Sequence, residues 1–250
     1  MSEQSLADEF FDAATTLLTE VRTTQAEAIS AAGRLLADTL ASSGRAFAYG
    51  AGHSALPAQD VVYRAGGLAV LNLLPVPGAV GVDVQPAHLG SALERVAGLA
   101  GTVLEASPAR SGDLLVIVSL SGRNILPVEM ASRARELGLT VVGVTSLAYA
   151  EETQPSNATG TFLKDHCDVV LDNRIPVGDT TLRHQGVDVP FAPASTVVAS
   201  ALMQAVVATA VGLLAERGIE PPLLRSGNVD GGLAANERVF AENAQRIFYR

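Results

Sequence analysis

Apolar residues recur near helical spacing between residues 6 and 43, at Phe10, Leu17, Leu18, Val21, Ile29, Leu35, Leu36 and Leu40, with alanines between and Gly44 as a stop. The spacing predicts one long amphipathic helix. The period then shortens. Arg45 to Tyr49 reads as a short strand running into Gly50-Ala51-Gly52-His53-Ser54, and a helix from about Pro57 ends at Gly66-Gly67. Leu68 to Leu74 reads as a second strand, Val76 to Gly90 as a Gly- and Pro-rich loop, and the residues after it as a helix to about Glu105.

Asp113 to Val118 is a continuous apolar run bounded by turn residues, the pattern of a strand buried on both faces of a parallel sheet. It opens into Ser119-Leu120-Ser121-Gly122-Arg123-Asn124, followed by a helix over Leu126 to Leu137. Thr140 to Val144 and Cys167 to Leu171 are further strands, separated by a polar connection from Ala150 to Thr161. A polar loop from Asp172 to Pro193 leads to a helix over Ser195 to Arg217, and the tail from about 221 to 250 carries a last helix near Leu233 to Arg246. Strands alternating with helices predict a three-layer α/β/α sandwich around a five-stranded parallel sheet, with the 250 residues forming one domain.

Composition narrows the partners. The formal net charge is −9, and 17 positive residues, all arginine except Lys164, are scattered along the chain, so no basic face is available for nucleic acid. Cys167 is the only cysteine, which excludes an internal disulfide and a cysteine zinc cage. The start, Met-Ser-Glu-Gln-Ser, lacks the basic and apolar run of a signal peptide, and a cytoplasmic protein that does not enter membranes is expected.

In open parallel sheets ligands bind outside the carboxyl ends of the strands. Three turns at such places are small and hydroxyl-rich: Gly50 to Ser54, Ser119 to Asn124, and Thr145-Ser146. Serine hydroxyls and free backbone N–H groups at a helix N-terminus form an anion cradle. Taken singly, each turn is also an ordinary cap. Gly50 to Ala55 fits the dinucleotide pattern G-x-G-x-x-G/A as well, but that pattern needs an acid at the end of the second strand, and the first acid there is Asp83, beyond a Pro-Gly loop. No cofactor is expected, and no His, Asp or Glu spacing predicts a metal.

Ser119-Leu120-Ser121-Gly122 resembles the S-x-S-G phosphate turn of the sugar isomerase (SIS) superfamily, and Gly50-Ala51-Gly52-His53-Ser54 resembles its first turn, G-x-G-x-S. The segments GAGHS, YRAGGL, SLSGRN and DNRIPVGD, with the Ser195-Thr196 helix start, are similar to a bacterial branch of single-SIS-domain proteins. The resemblance implies a flavodoxin-like SIS fold, a phosphorylated sugar as ligand, and a homodimer or homotetramer with sites near subunit interfaces. It assigns the phosphate to Ser119, Ser121 and Asn124, completed by Gly52 and Ser54, with Ser195 and Thr196 at the helix start. Arg123 stands where N-acetylmuramic acid 6-phosphate etherases carry arginine, and Arg64 falls where they carry a glutamate.

Sugar isomerases, etherases and deaminases all need a base for the proton beside the C1 carbonyl. Glu27, His53, Asp179 and His184 are the candidates; Glu27 reads equally as a solvated helix glutamate and His53 as a cap, whereas His88 and His166 read as structural. The Arg123 signal favours elimination from an N-acetylhexosamine 6-phosphate such as N-acetylglucosamine 6-phosphate. Aldose–ketose isomerisation and non-catalytic sugar-phosphate sensing are the alternatives.

Overall fold

The computed structural model describes residues 5–79, 81 and 85–250; Asp83 lies outside them. Helices α1 (Leu6–Thr24) and α2 (Ala26–Ala41) open the chain where one continuous helix was expected. The break has a local cause. The hydroxyls of Thr23 and Thr24 bond back to the carbonyl of Glu20, which competes with the helical ladder, and the Gln25 carboxamide accepts from the Asp172 N–H at 3.0 Å. Gln25 thus ties the helix junction to the sheet.

Strand β1 (Ala46–Gly50) leads through a single 3-10 turn, Gly52–Ser54, into α3 (Ala55–Asp60), shorter than the sequence suggests. Strand β2 (Leu71–Leu73) is also short, because Leu68 and Ala69 pair with the C-terminal tail at Leu223 and Pro222. The single helix expected before Glu105 is two, α4 (His88–Leu93) and α5 (Leu99–Ala106), divided at the left-handed Gly98. Then follow β3 (Leu114–Val118), α6 (Ile125–Glu136), β4 (Thr140–Thr145), α7 (Leu147–Glu152), β5 (Val169–Asp172), α8 (Ser195–Glu216) and α9 (Gly232–Glu242).

The five strands are all parallel, in the order β2-β1-β3-β4-β5. Alternate residues face opposite layers, and both layers are apolar. Ala46, Ala48, Leu114, Val116 and Val118 pack beneath α2 and α8, while Phe47, Tyr49, Leu115 and Ile117 pack beneath α5 and α6. Helix α8 is long and apolar enough by composition to cross a membrane, yet Val198, Leu202, Met203, Val206, Ala210 and Leu214 are buried against the rest of the protein. Its close approach to α2 depends on Gly33, where a β-carbon would lie 2.5 Å from Thr209 Cγ2.

The outer edge of the sheet at β2 is sealed by the tail. Asn72, 1% exposed, donates from Nδ2 to the Arg246 carbonyl at 2.8 Å and accepts the Phe248 N–H at 2.8 Å. The Phe248 ring stacks on Phe47, and Tyr249 donates to the Ala69 carbonyl at 2.7 Å. An uncovered edge strand would otherwise offer unpaired N–H and C=O groups to other chains.

The first turn is tight. A β-carbon on Gly50 would lie 2.1 Å from the Ser54 carbonyl oxygen, so Gly50→Ala must displace that turn. We expect Gly50→Ala to lower stability by about 1–3 kcal/mol and to increase proteolysis near residues 51–55, with the far-ultraviolet spectrum kept; an unchanged denaturation midpoint would contradict the packing. Asn72→Ala strands the Arg246 carbonyl and the Phe248 N–H, and should cost about 1–3 kcal/mol. Hydrogen exchange at residues 246–249 should rise with it, and equal protection in variant and parent would refute the clamp.

Candidate functional site

Strand order reverses between β1 and β3, so the connections leaving these two strands pass to opposite faces and open a crevice at their carboxyl ends. A cavity of about 700 Å³ occupies that crevice. Both serine turns line it, through His53 and Ser54 after β1 and Ser119 to Ser121 after β3. Ser119 is held in register by its N–H bond to Val144. Gly122 allows the turn into α6 with a φ of 57°, and Asn124 is the extended N-cap residue of that helix. The hydroxyls of Ser54, Ser119 and Ser121 bond to no group among the described residues. All three serines line the cavity, and Ser119 and Ser121 lie in the turn that leads to the α6 N-terminus, whose dipole favours an anion.

Asn124, expected at the phosphate, is not among the residues that line the cavity. Its amide donates to Glu94 Oε2 at 2.8 Å and so orients a carboxylate in the cavity wall. Glu94 closes α4 as its C-cap residue, and Gly52, with a φ of 54°, leaves room beside it: a β-carbon there would come within 3.7 Å of Glu94 Oε1. Next to Glu94 in the same wall is Tyr49, 1% exposed, whose hydroxyl has no hydrogen-bond partner among the described residues. Burial, aided by the charge of Glu94, raises the Tyr49 pKa, so the phenol keeps its proton. Glu94 and Tyr49 had no sequence signal beyond residue type. One lay in an apparent surface helix, the other in an apparent core strand.

The opposite wall comes from the loop between β5 and α8. Leu182 pairs with Phe191 across it, Thr181 donates to the Ala192 carbonyl at 2.7 Å, and Gly178 N–H donates to the Tyr149 hydroxyl at 2.9 Å. Asp179 sits in the left-handed region and acts as a brace. Its Oδ1 accepts the Ser195 N–H at 3.0 Å and its Oδ2 the Ser195 hydroxyl at 2.6 Å. Phe191, Pro190, Ala192 and Pro193 present an apolar surface to the cavity. A small recess adjoining His53, Ser54, Leu120, Ser195 and Thr196 continues toward α8, and neither Glu94 nor Tyr49 lines it.

The fold thus brings Gly52, His53, Ser54, Ser119, Ser121, Asp179, Ser195 and Thr196 to one cavity. Other candidates lie elsewhere in the protomer. Glu27 is exposed on α2, in a shallow groove with Ser30 and Arg34. Arg64 is exposed and paired with Asp60. His184 is exposed on the loop and does not line the cavity. His166 bonds to Thr161 Oγ1 at 2.8 Å, and His88 is exposed at the start of α4. Arg123 also stands outside the cavity lining, with its Nε buried and without a partner among the described residues.

Comparison with known proteins agrees with this architecture. A UPF0309 protein of Streptomyces avermitilis is 66% identical over 250 residues, covering 100% of both chains. The UPF0309 protein ABC0887 of Shouchella clausii is 32% identical over 245 residues, 98% of this chain and 99% of that one. The solved structure of a phosphoheptose isomerase from Neisseria gonorrhoeae aligns with a TM-score of 0.52 at 19% identity, covering 81% of this chain and 95% of that one, a likeness of fold. The SIS domain profile matches residues 9–146, the stretch that runs from α1 through both serine turns to the end of β4. With the parallel sheet, the switch-point cavity and the S-x-S-G turn all in place, the chain belongs to the SIS domain family, alongside the bacterial UPF0309 proteins.

Proposed function

We propose that the protein binds an N-acetylhexosamine 6-phosphate, such as N-acetylglucosamine 6-phosphate, and eliminates water from it across C2 and C3. The observation that carries this reading is the pairing, in one switch-point cavity, of unengaged serine hydroxyls with an oriented carboxylate. The phosphate takes the hydroxyls of Ser54, Ser119 and Ser121, at the α6 N-terminus. Glu94, rather than a residue of the exposed set, is the base for the C2 proton. A carboxylate held by Asn124 at 2.8 Å has its lone pairs fixed before substrate arrives.

The apolar wall at Phe191 and its neighbouring prolines favours a substrate with a methyl group, which an acetamido substituent supplies and a plain hexose does not. That substituent also decides the outcome. When Glu94 takes the C2 proton, the C–H electron pair forms a C1–C2 double bond and charge collects on the C1 oxygen. With a hydroxyl at C2, reprotonation at C1 would give a ketose. With an acetamido group that route is closed. The enolate then re-forms the C1 carbonyl, a C2–C3 double bond develops, and the C3 hydroxyl leaves with the proton from Glu94 as one water. The shared fold of a phosphoheptose isomerase keeps aldose–ketose isomerisation as the second reading. A second subunit, as the family resemblance implies, is the route by which exposed Glu27 or His184 would join the site.

Incubation with N-acetylglucosamine 6-phosphate should give a product lighter by one water. Conversion of glucose or fructose 6-phosphate without mass change would replace elimination by isomerisation, and binding without conversion would make the protein a sensor. Ser121→Ala removes a charge-assisted hydrogen bond worth about 1.5–3 kcal/mol; calorimetric titration with the sugar phosphate should show the corresponding roughly tenfold to hundredfold weakening. Unaltered affinity in Ser121→Ala and in the double variant with Ser119→Ala would remove the phosphate assignment. Glu94→Gln should lower turnover by about 10²–10⁴-fold with sugar-phosphate affinity kept within a few-fold. Deuterium exchange at C2 persisting at the parent rate would exclude Glu94 as the base.

A further inference from the structure

Tyr49 differs from the other tyrosines with defined hydroxyl contacts. The hydroxyl of Tyr149 accepts the Gly178 N–H and that of Tyr249 donates to the Ala69 carbonyl, whereas the Tyr49 hydroxyl is buried without a partner among the described residues. Buried polar groups are nearly always hydrogen-bonded, and one left open in a cavity wall is a group whose partner arrives with the ligand. Tyr49 is the penultimate residue of β1, its ring is fixed in the core layer beneath α5 and α6, and it shares the cavity wall with Glu94. The phenol keeps its proton here, since burial and the neighbouring carboxylate both oppose ionisation. It is therefore a hydrogen-bond donor and not a base.

Building on the elimination reading above, we propose that Tyr49 donates its hydroxyl hydrogen bond to the C1 oxygen of the open-chain sugar and stabilises the enolate that forms when Glu94 takes the C2 proton. The two groups divide the work. Glu94 accepts the proton at C2, and Tyr49 meets the charge that appears one carbon away. No proton leaves Tyr49, so the site returns to its starting state once water departs. A donor fixed on a core strand needs no reorganisation when the charge develops, the condition under which such a hydrogen bond acts most strongly. The same donor would discriminate against sugar phosphates whose C1 bears no oxygen acceptor, because binding them leaves the phenol unpaired.

Tyr49→Phe tests this, since it keeps the ring and removes only the hydroxyl. The expected result is a loss of turnover and of C2 deuterium exchange of about 10²–10³-fold on N-acetylglucosamine 6-phosphate. Affinity for inorganic phosphate should stay within about twofold of the parent, because the serine turns are untouched. The unfolding temperature of the ligand-free variant should be equal or higher, because an unpaired buried hydroxyl has been removed. Parent-level exchange in Tyr49→Phe, with the parent active, would overturn the role of Tyr49 and leave the elimination reading standing. A lower unfolding temperature together with weakened phosphate binding would make the hydroxyl a structural group and also overturn it. A parent that exchanges no C2 proton from this sugar phosphate would defeat the elimination reading, and the role of Tyr49 with it.

Discussion

The reversal of strand order between β1 and β3 is the constraint on which the site depends. Parallel strands cannot be joined by tight turns, so each carboxyl end must be followed by a connection that crosses one face of the sheet. Where neighbouring connections cross opposite faces, no backbone fills the space between them. The two serine turns meet there because β1 and β3 pair in register along their full lengths, from Ala46 with Leu114 to Gly50 with Val118. Turns separated by some seventy residues of chain therefore share one cavity on account of the ladder, independently of any contact between their side chains.

Within the cavity, satisfied and unsatisfied groups separate according to role. Asp179 accepts from Ser195 and from the Ala194 N–H, Asn124 donates to Glu94, and Tyr149 accepts from the Gly178 N–H, and these bonds hold the walls in place. Among the described residues, Ser54, Ser119, Ser121 and Tyr49 have hydroxyls that bond to no other group. Braced walls around open donors fit a site in which geometry is fixed before a ligand enters. For the buried Tyr49 hydroxyl this costs folding stability, since it loses water without gaining a protein partner. Left-handed Asp179 and Ala192 in the loop wall add backbone strain of the kind that collects at functional sites.

The protein supports this site from a distance. Gln25 breaks the N-terminal helix and bonds to Asp172 at the end of β5, while Asp172 in turn accepts from the N–H groups of Leu147 and Arg174. The tail from Arg246 onward performs a similar service at the other edge through Asn72. Both sheet edges are thus fixed by buried amide or carboxylate side chains whose loss would leave backbone groups unpaired.

The amino-acid pattern alone determined the layered architecture, the strands and the serine turns, because these follow from local rules: continuous apolar runs for strands buried on both faces, helical spacing for their covers, and small hydroxyl residues at strand ends. Those rules act over a few residues, so they place the elements, while contacts such as the pairing of Leu68 with Leu223 in the tail set where an element ends. What the pattern did not contain was which side chains from distant elements face one another. Glu94 reads as a solvated glutamate and Tyr49 as a core aromatic until the sheet places them in the same wall. The bond from the Asn124 amide to Glu94 is information of the same kind. Glu27 and Arg64, singled out from their positions along the chain, are exposed and do not line the cavity of this protomer, and Arg64 is paired with Asp60. Local propensity fixes where a turn falls, but the partner and orientation of a polar side chain are set by packing between segments remote in sequence, and only the assembled structure contains that information.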